Sequence, residues 1–390
     1  MASGWLAFGL GGSGAVGLVT FATMGPLLFA TIFGGVLADR ADRRVIVLVT
    51  QAIQGAVAFA VGIQATLIGM PLWELTLLVF VSGVARAVEM PTVQSVLPSL
   101  VPPEDLLNAF SLNGLATRGS RFLGPLLLAP VLTGRNAGMA FLIVGLLYVP
   151  AFNFILRVPS LRKPRGAPIT VLEQLREGTR FIFGNGTVVL LLLVVVLHCW
   201  MTMGFDSTLP LFAEQNLRGN GAIFSTMVAA MGLGSIASGL VLAGLRGRRT
   251  QGRLLFIMGI GSGITTIFVA VTTVEWLALI AMFTIGATTA FFMTLANTMV
   301  AEAAPEALRG RVSSIYLMSA GGIMSLSNLV NGQLAGFFGA GPVVGVPAAV
   351  YLVLFLGLVA FSLPLREIFS SGRLAVRRRE EPVFAVSADD

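Results

Sequence analysis

Five charged residues stand inside otherwise apolar segments: Arg86 and Glu89 in one, Arg118 and Arg121 in a second, and Asp206 in a third. A charge at the centre of a membrane-crossing helix costs roughly 2.5 to 3.5 kcal/mol on insertion scales, so charges retained there pair, relay protons or meet a polar ligand. Counting inward from the segment ends at ~1.5 Å per residue puts Glu89 at about 13 Å and Arg118 at about 16 Å depth. Such similar depths predict that the two meet, either as a structural ion pair or as part of a coupling or substrate-linked switch. Arg86 and Arg121 each lie one turn away on the same helices and would extend the pair to a network of four charges. Asp206 reads either as a carboxylate that carries a proton or attracts a cationic substrate, or as a cap in the irregular Gly204 to Pro210 stretch. The single histidine, His198, and the single cysteine, Cys199, are adjacent in an apolar run and read as helix-packing residues. They are too few for a zinc or haem site, one cysteine allows no intramolecular disulfide, and no cofactor is expected. The chain has no GxxxxGK[ST] phosphate loop, HExxH or GxSxG motif, so neither an ATPase nor another enzyme is expected.

The elements that hold these charges follow from composition. Of 390 residues, 56% are hydrophobic and 11% charged, too few charges to cover a soluble surface. Long apolar segments in place of short alternating strands imply an all-α membrane protein and not a β-barrel. Turn and charge signals predict helices at 16–38, 45–70, 73–98, 107–132 and 138–158, then at 188–212, 222–245, 253–273, 275–302, 312–338 and 342–364. Met1 to Leu10 reaches only about half way across a bilayer and reads as the end of a first helix, apparently truncated. Between the two groups, Leu172, Leu175, Thr179 and Ile182 recur at helical spacing, which predicts an amphipathic helix on the membrane surface. The expected organisation is an N-terminal transmembrane half at 1–158, a linker at 159–187, a C-terminal transmembrane half at 188–366 and a tail at 367–390. Alternate loops carry twenty basic residues, among them Arg40, Arg43, Arg44, Arg157, Arg176, Arg248, Arg311 and Arg379, against Arg135 and Arg218 on the opposite side. That asymmetry predicts a multi-pass protein of the inner membrane with both termini cytoplasmic. The net charge of +7 is scattered between apolar segments, which points to anionic lipid headgroups and not to nucleic acid.

The two groups echo each other. Gly35 to Asp39 followed by Arg43-Arg44 aligns about 204 residues later with Gly239 to Ala243 followed by Arg248-Arg249, and Pro103-Glu104-Asp105-Leu106 aligns with Pro305-Glu306-Ala307-Leu308. A parallel repeat of six helices brackets a midplane site in secondary transporters. At these residues the sequence resembles the major facilitator superfamily, whose GxxxDRxGRR loop pattern is filled by Gly35, Asp39, Arg40, Arg43 and Arg44, with Asp42 at the second glycine. The LADRxDRR form resembles the branch of enterobactin exporters and macrolide efflux proteins. Leu97-Pro98, Arg121 to Pro125 and Leu175 to Phe181 support it. The resemblance implies that Asp39 and the loop arginines gate conformational change, and that Asp206 lines the cavity. Of the helix-five antiporter motif GxxxGPxxGG only the centre, Gly124-Pro125, is present.

The expectation is therefore a major facilitator fold of two six-helix halves, acting as a proton-coupled exporter of small amphiphilic molecules by alternating access. Its partners would be a small-molecule substrate, protons and the lipid bilayer, and it would work as a monomer. An uncoupled facilitator, or a truncated membrane protein without transport, are the alternatives.

Overall fold

A computed structural model describes residues 1–28, 41–102, 105–133, 136–159, 171–245, 247–305, 308–372 and 374. The helices are α1 (Ala2–Met24), continued by a 3-10 turn at Gly25–Leu28, α2 (Arg43–Leu67), α3 (Leu72–Leu100), α4 (Leu106–Thr133) and α5 (Ala137–Leu156). After the linker come α6 (Val171–Phe183), α7 (Gly186–Thr202), α8 (Leu209–Gln215), α9 (Gly221–Ala243) and α10 (Arg248–Val271). The chain closes with α11 (Glu275–Ala303), α12 (Arg309–Phe338), α13 (Ala340–Phe361) and α14 (Leu363–Ser371). Eight stretches among the described residues are long and apolar enough to cross a membrane, and α6 with α7, bent by 101°, makes a ninth if counted as one span. Among the described residues every span expected from the sequence is helical within a few residues, residues 29–38 of the first span lying outside them, and two points qualify the expectation.

The first is at the N-terminus, where the fragment expected at 1–10 and the span expected from Val16 are two arms of α1. Gly11 and Gly12 leave the helical region, and Gly12 takes φ +64, a left-handed conformation that a side chain disfavours. A methyl on Gly4 would sit 3.6 Å from Val16 Cγ1, whereas a straight helix would hold those residues about 18 Å apart. The first arm thus folds back on the second, with Trp5 stacked on Phe224 at 5.7 Å. The second is that the expected 188–212 span is broken between α7 and α8.

Helices alternate in direction, so Gly12, Asn136, Gly221 and Gly339 share one end of the bundle and Arg43, Arg157 and Arg248 the other. We call these the Gly12 end and the Arg43 end. Small residues let antiparallel partners approach closely, as expected where packing drives association inside lipid. On α2 and α5, Gly138 meets Thr66, Gly62 meets Leu142, Gly145 meets Phe59 and Gly55 meets Tyr148. In the second half Gly259 meets Phe355 and Gly263 meets Leu352, so α10 and α13 pack in the same way. Each half has its own apolar core, around Val61, Leu75 and Leu132 in one and around Leu191, Tyr316 and Phe355 in the other.

The linker helix does more than lie on a membrane surface. Ile182 is buried in the core of the second half, Glu177 is ion-paired with Arg311, and Gly178 packs against Ile315. At the other terminus Leu365, Ile368 and Phe369 of α14 are buried and the backbone at Gly252 abuts Ile368. The packed fold therefore runs to Gly372, and the boundary expected at Arg366 falls inside α14.

Candidate functional site

Gln51 and Gln54 lie one turn apart on α2 and both face Glu89 on α3. Gln54 donates from Nε2 to Glu89 Oε2, and Gln51 donates from Nε2 to Glu89 Oε1 at 3.3 Å. Tyr148 of α5 donates its hydroxyl to Gln54 Oε1 at 3.1 Å, brought there by its close packing on Gly55. The charges of Glu89 and Arg86 both act on Tyr148. A carboxylate inside the bundle is thus held by neutral amides.

Arg118, its expected partner, is elsewhere. Its Nη1 donates to the Ser235 carbonyl of α9 at 3.4 Å and presses on Gly239, where any side chain would overlap the guanidinium. Ion pairs among the described residues are Arg248–Glu302 at 3.2 Å and Glu177–Arg311; Glu89 and Arg118 form none. The reason is direction and not depth: α3 packs on α1 and α2, α4 packs across the halves on α9, and α3 and α4 touch little. The four-charge network does not form.

Arg86 and Arg121 have a shared geometry of another kind. Arg86 follows Leu75 by eleven residues and Arg121 precedes Leu132 by eleven, three turns in each case, so each arginine lies on the face of its own buried leucine about 16 Å nearer the Arg43 end. Leu75 and Leu132 are both fully buried near the Gly12 end. The outward stripes are different ones, Trp73, Leu77, Phe80 and Val84 on α3 and Leu112, Leu123 and Leu127 on α4, all exposed. Both arginines are nevertheless exposed. Each helix therefore has an inward face that is buried at one end and exposed at its arginine three turns further along. Two guanidiniums in hydrocarbon would cost roughly 2.5 to 3.5 kcal/mol each.

The second half contains the broken helix. Between α7 and α8 the backbone groups are satisfied from α12: Ser207 N–H donates to Asn328 Oδ1 at 2.8 Å, Ser207 Oγ to the Asn328 carbonyl at 2.7 Å, Asn331 Nδ2 to the Gly204 carbonyl at 2.7 Å, and Ser327 Oγ to the Trp200 carbonyl at 2.6 Å. Irregular backbone at membrane depth persists only where protein supplies such partners. Asp206 sits in this break, where the charge of Arg121 acts on it.

The halves meet at two antiparallel seams, each made by glycine. On one, Gly17 of α1 approaches the Asn328 carbonyl and Gly332 of α12; on the other, Gly221 approaches Leu132 and Gly232 approaches the Arg121 carbonyl. Both seams continue toward the Arg43 end, with Gly239 against Arg118 on one and Gly322 against Leu28 on the other.

A bundle of two such halves with a broken helix beside a polar interior agrees with the comparisons. The transmembrane secretion effector family matches residues 1–389. The chain belongs to this family of major facilitator transporters. It is 26% identical over 326 residues to macrolide efflux protein A of Enterococcus faecalis, covering 80% of this chain and 95% of that one. It is also 26% identical over 305 residues to an enterobactin exporter of Escherichia coli O81, covering 77% and 72%. In fold it is similar to a D-xylose-proton symporter, with a TM-score of 0.69, 14% identity and coverage of 94% and 97%, and to the nucleoside transporter NupG, with a TM-score of 0.64, 14% identity and coverage of 92% and 96%.

Within this transporter the loop residues Gly35, Asp39 and Arg40 lie outside the described residues, as do Glu104, Glu306 and Arg379. Asp42, which departs from the family's glycine, accepts a hydrogen bond from Arg44 N–H at 2.9 Å and caps α2. Arg44 donates from Nη2 to the Leu156 carbonyl at 2.5 Å, tying the start of α2 to the end of α5, and Arg43 is buried. Pro125 is buried in α4 and lacks the N–H that would bond the Arg121 carbonyl, which is the atom Gly232 approaches. Gly124 faces open space. His198 is buried with Thr202 Oγ1 at 3.0 Å and Ser262 Oγ at 3.3 Å from Nδ1, and Cys199 is buried nearby. Sequence reasoning missed Gln51 and Gln54, and the Ser327, Asn328 and Asn331 set. Both were signalled by polar residues at helical spacing in apolar helices.

Proposed function

We propose that this transporter is a proton-coupled exporter of small amphiphilic molecules, with Glu89 as the carboxylate that carries the proton. The observation that carries this reading is the Glu89 site: a carboxylate within the bundle, held by two amides and a tyrosine relay and, among the described residues, in no ion pair, can gain and lose a proton without breaking one. The names of the efflux relatives support export of a macrolide-like or siderophore-like substrate. The Arg43 end faces the cytoplasm on the twenty-to-two basic asymmetry, which puts both termini on that side of the bacterial inner membrane. Gly35, Asp39, Arg40, Arg43 and Arg44 form the gating loop, and Gly232 against the Arg121 carbonyl, which Pro125 leaves unbonded, the seam that must part for outward opening. Each chain encloses its own cavity, which suits a monomer. A facilitator without ion coupling is the second reading, favoured by the reduced helix-five motif.

The test is uptake of a macrolide and of a catecholate siderophore by everted inner-membrane vesicles under an imposed pH gradient. Glu89→Gln keeps hydrogen-bonding capacity toward Gln51 and Gln54, so its abundance should be near normal while the pH-gradient dependence of transport disappears. Gradient-driven transport by Glu89→Gln at the wild-type rate would remove Glu89 from the coupling step.

A further inference from the structure

Resting on the transport reading above, we propose that Arg86 and Arg121 form an anion-binding subsite in the cavity, so that the transported molecule is an amphiphile bearing an acidic group. Three observations converge on it. Counted along their helices, Arg86 and Arg121 each lie three turns from a fully buried leucine and on its face, on consecutive helices of one half, and both are exposed. Neither has an ion-pair partner within 4.0 Å among the described residues, and the other charges of the span are otherwise engaged: Glu89 by Gln54, and Arg118 by Ser235 in the opposite half. Asp206, in the break between α7 and α8, is the carboxylate on which Arg121 acts, and one carboxylate offsets at most one of two arginines.

The physical consequence is an excess of positive charge in a space walled by apolar helices, where it is weakly screened and raises the local concentration of anions. A guanidinium presents its donors in a planar fork that matches a carboxylate, phosphate or catecholate, and binding such a group relieves the repulsion between the two arginines. A cationic amphiphile would meet that repulsion instead. Asp206, for which attraction of a cationic substrate is one of the readings from sequence, then keeps the empty subsite from holding a permanent anion by competing for Arg121. The hydrophobic part of the substrate would rest on the apolar wall between the helices, and its acid group would set its orientation.

The experiment is equilibrium binding to the purified full chain in phosphatidylcholine nanodiscs, whose zwitterionic lipid carries no net charge. Two probes share a xanthene core and differ in sign: carboxyfluorescein, an anion, and rhodamine methyl ester, a cation, each followed by fluorescence anisotropy. Carboxyfluorescein should bind the wild type more tightly than the rhodamine ester. Arg86→Gln and Arg121→Gln should each weaken its binding at least tenfold, and Arg121→Lys should weaken it less than Arg121→Gln. The lysine variant guards against a change that merely unfolds the bundle. Absence of carboxyfluorescein binding to the wild type, preference for the cation, or unchanged affinity in the double glutamine variant would each overturn the proposal. Because no pH gradient enters, Arg-dependent binding alongside failed gradient-driven export would overturn the coupling role of Glu89 and leave the subsite standing.

Discussion

Gly232 is the position where the structure makes a conformational equilibrium accessible to one methyl group. A Cβ built there would lie 2.6 Å from the Arg121 carbonyl oxygen, 2.7 Å from its carbon and 2.9 Å from Phe122 N, all backbone atoms that no rotamer change can move aside. Overpacking of this kind costs about 1 to 3 kcal/mol. If transport parts α4 from α9 at this seam, the cost falls only on the state closed at the Gly12 end, and Gly232→Ala should shift the equilibrium toward the other state by about 5- to 150-fold. The neighbouring control is Gly124→Ala, since nothing lies within 4 Å of a Cβ there. Spin labels at the exposed residues Asn136 and Glu214 report the separation of the two halves at the Gly12 end, in a background where the buried Cys199 is replaced by alanine. The distance distribution should lengthen in Gly232→Ala and stay at wild type in Gly124→Ala. Identical distributions in both, at normal abundance, would refute the idea that this seam opens.

Asn328→Leu should lower the thermal stability of the purified transporter by about 1 to 3 kcal/mol, because Ser207 N–H then loses its acceptor in a fully buried site. Asn153→Leu, whose amide bonds only a carbonyl of its own helix at the exposed surface, should change the melting temperature little, and equal effects of the two would show that the clamp on the helix break is not energetically special. For orientation, a reporter fused after Arg379 should be cytoplasmic and one inserted at Asn136 should be external; reporters found on the same side would refute the register of spans and the assignment of the Arg43 end.

The spans were readable because length and apolarity are one-dimensional properties, and even the break between α7 and α8 announced itself through Gly204 and Pro210. What the sequence does not carry directly is the direction in which a side chain points. Depth arithmetic placed Glu89 and Arg118 within a few ångströms of each other along the membrane normal, yet one faces the glutamines of α2 and the other crosses to α9, because consecutive helices in this fold need not be packing partners. The same limit hid the seams: Gly17, Gly232 and Gly332 look like any other glycine of an apolar helix until a backbone from the opposite half is found beside them. Azimuth can be recovered in part by counting along the helix and not down it. Eleven residues are almost three full turns, so once Leu75 and Leu132 are known to be buried, Arg86 and Arg121 must share their faces, and a charge on a buried face demands either a partner or water. The partner is absent within ion-pair distance among the described residues, so the interior opens to water there, and the same count that locates the cavity also gives it its charge.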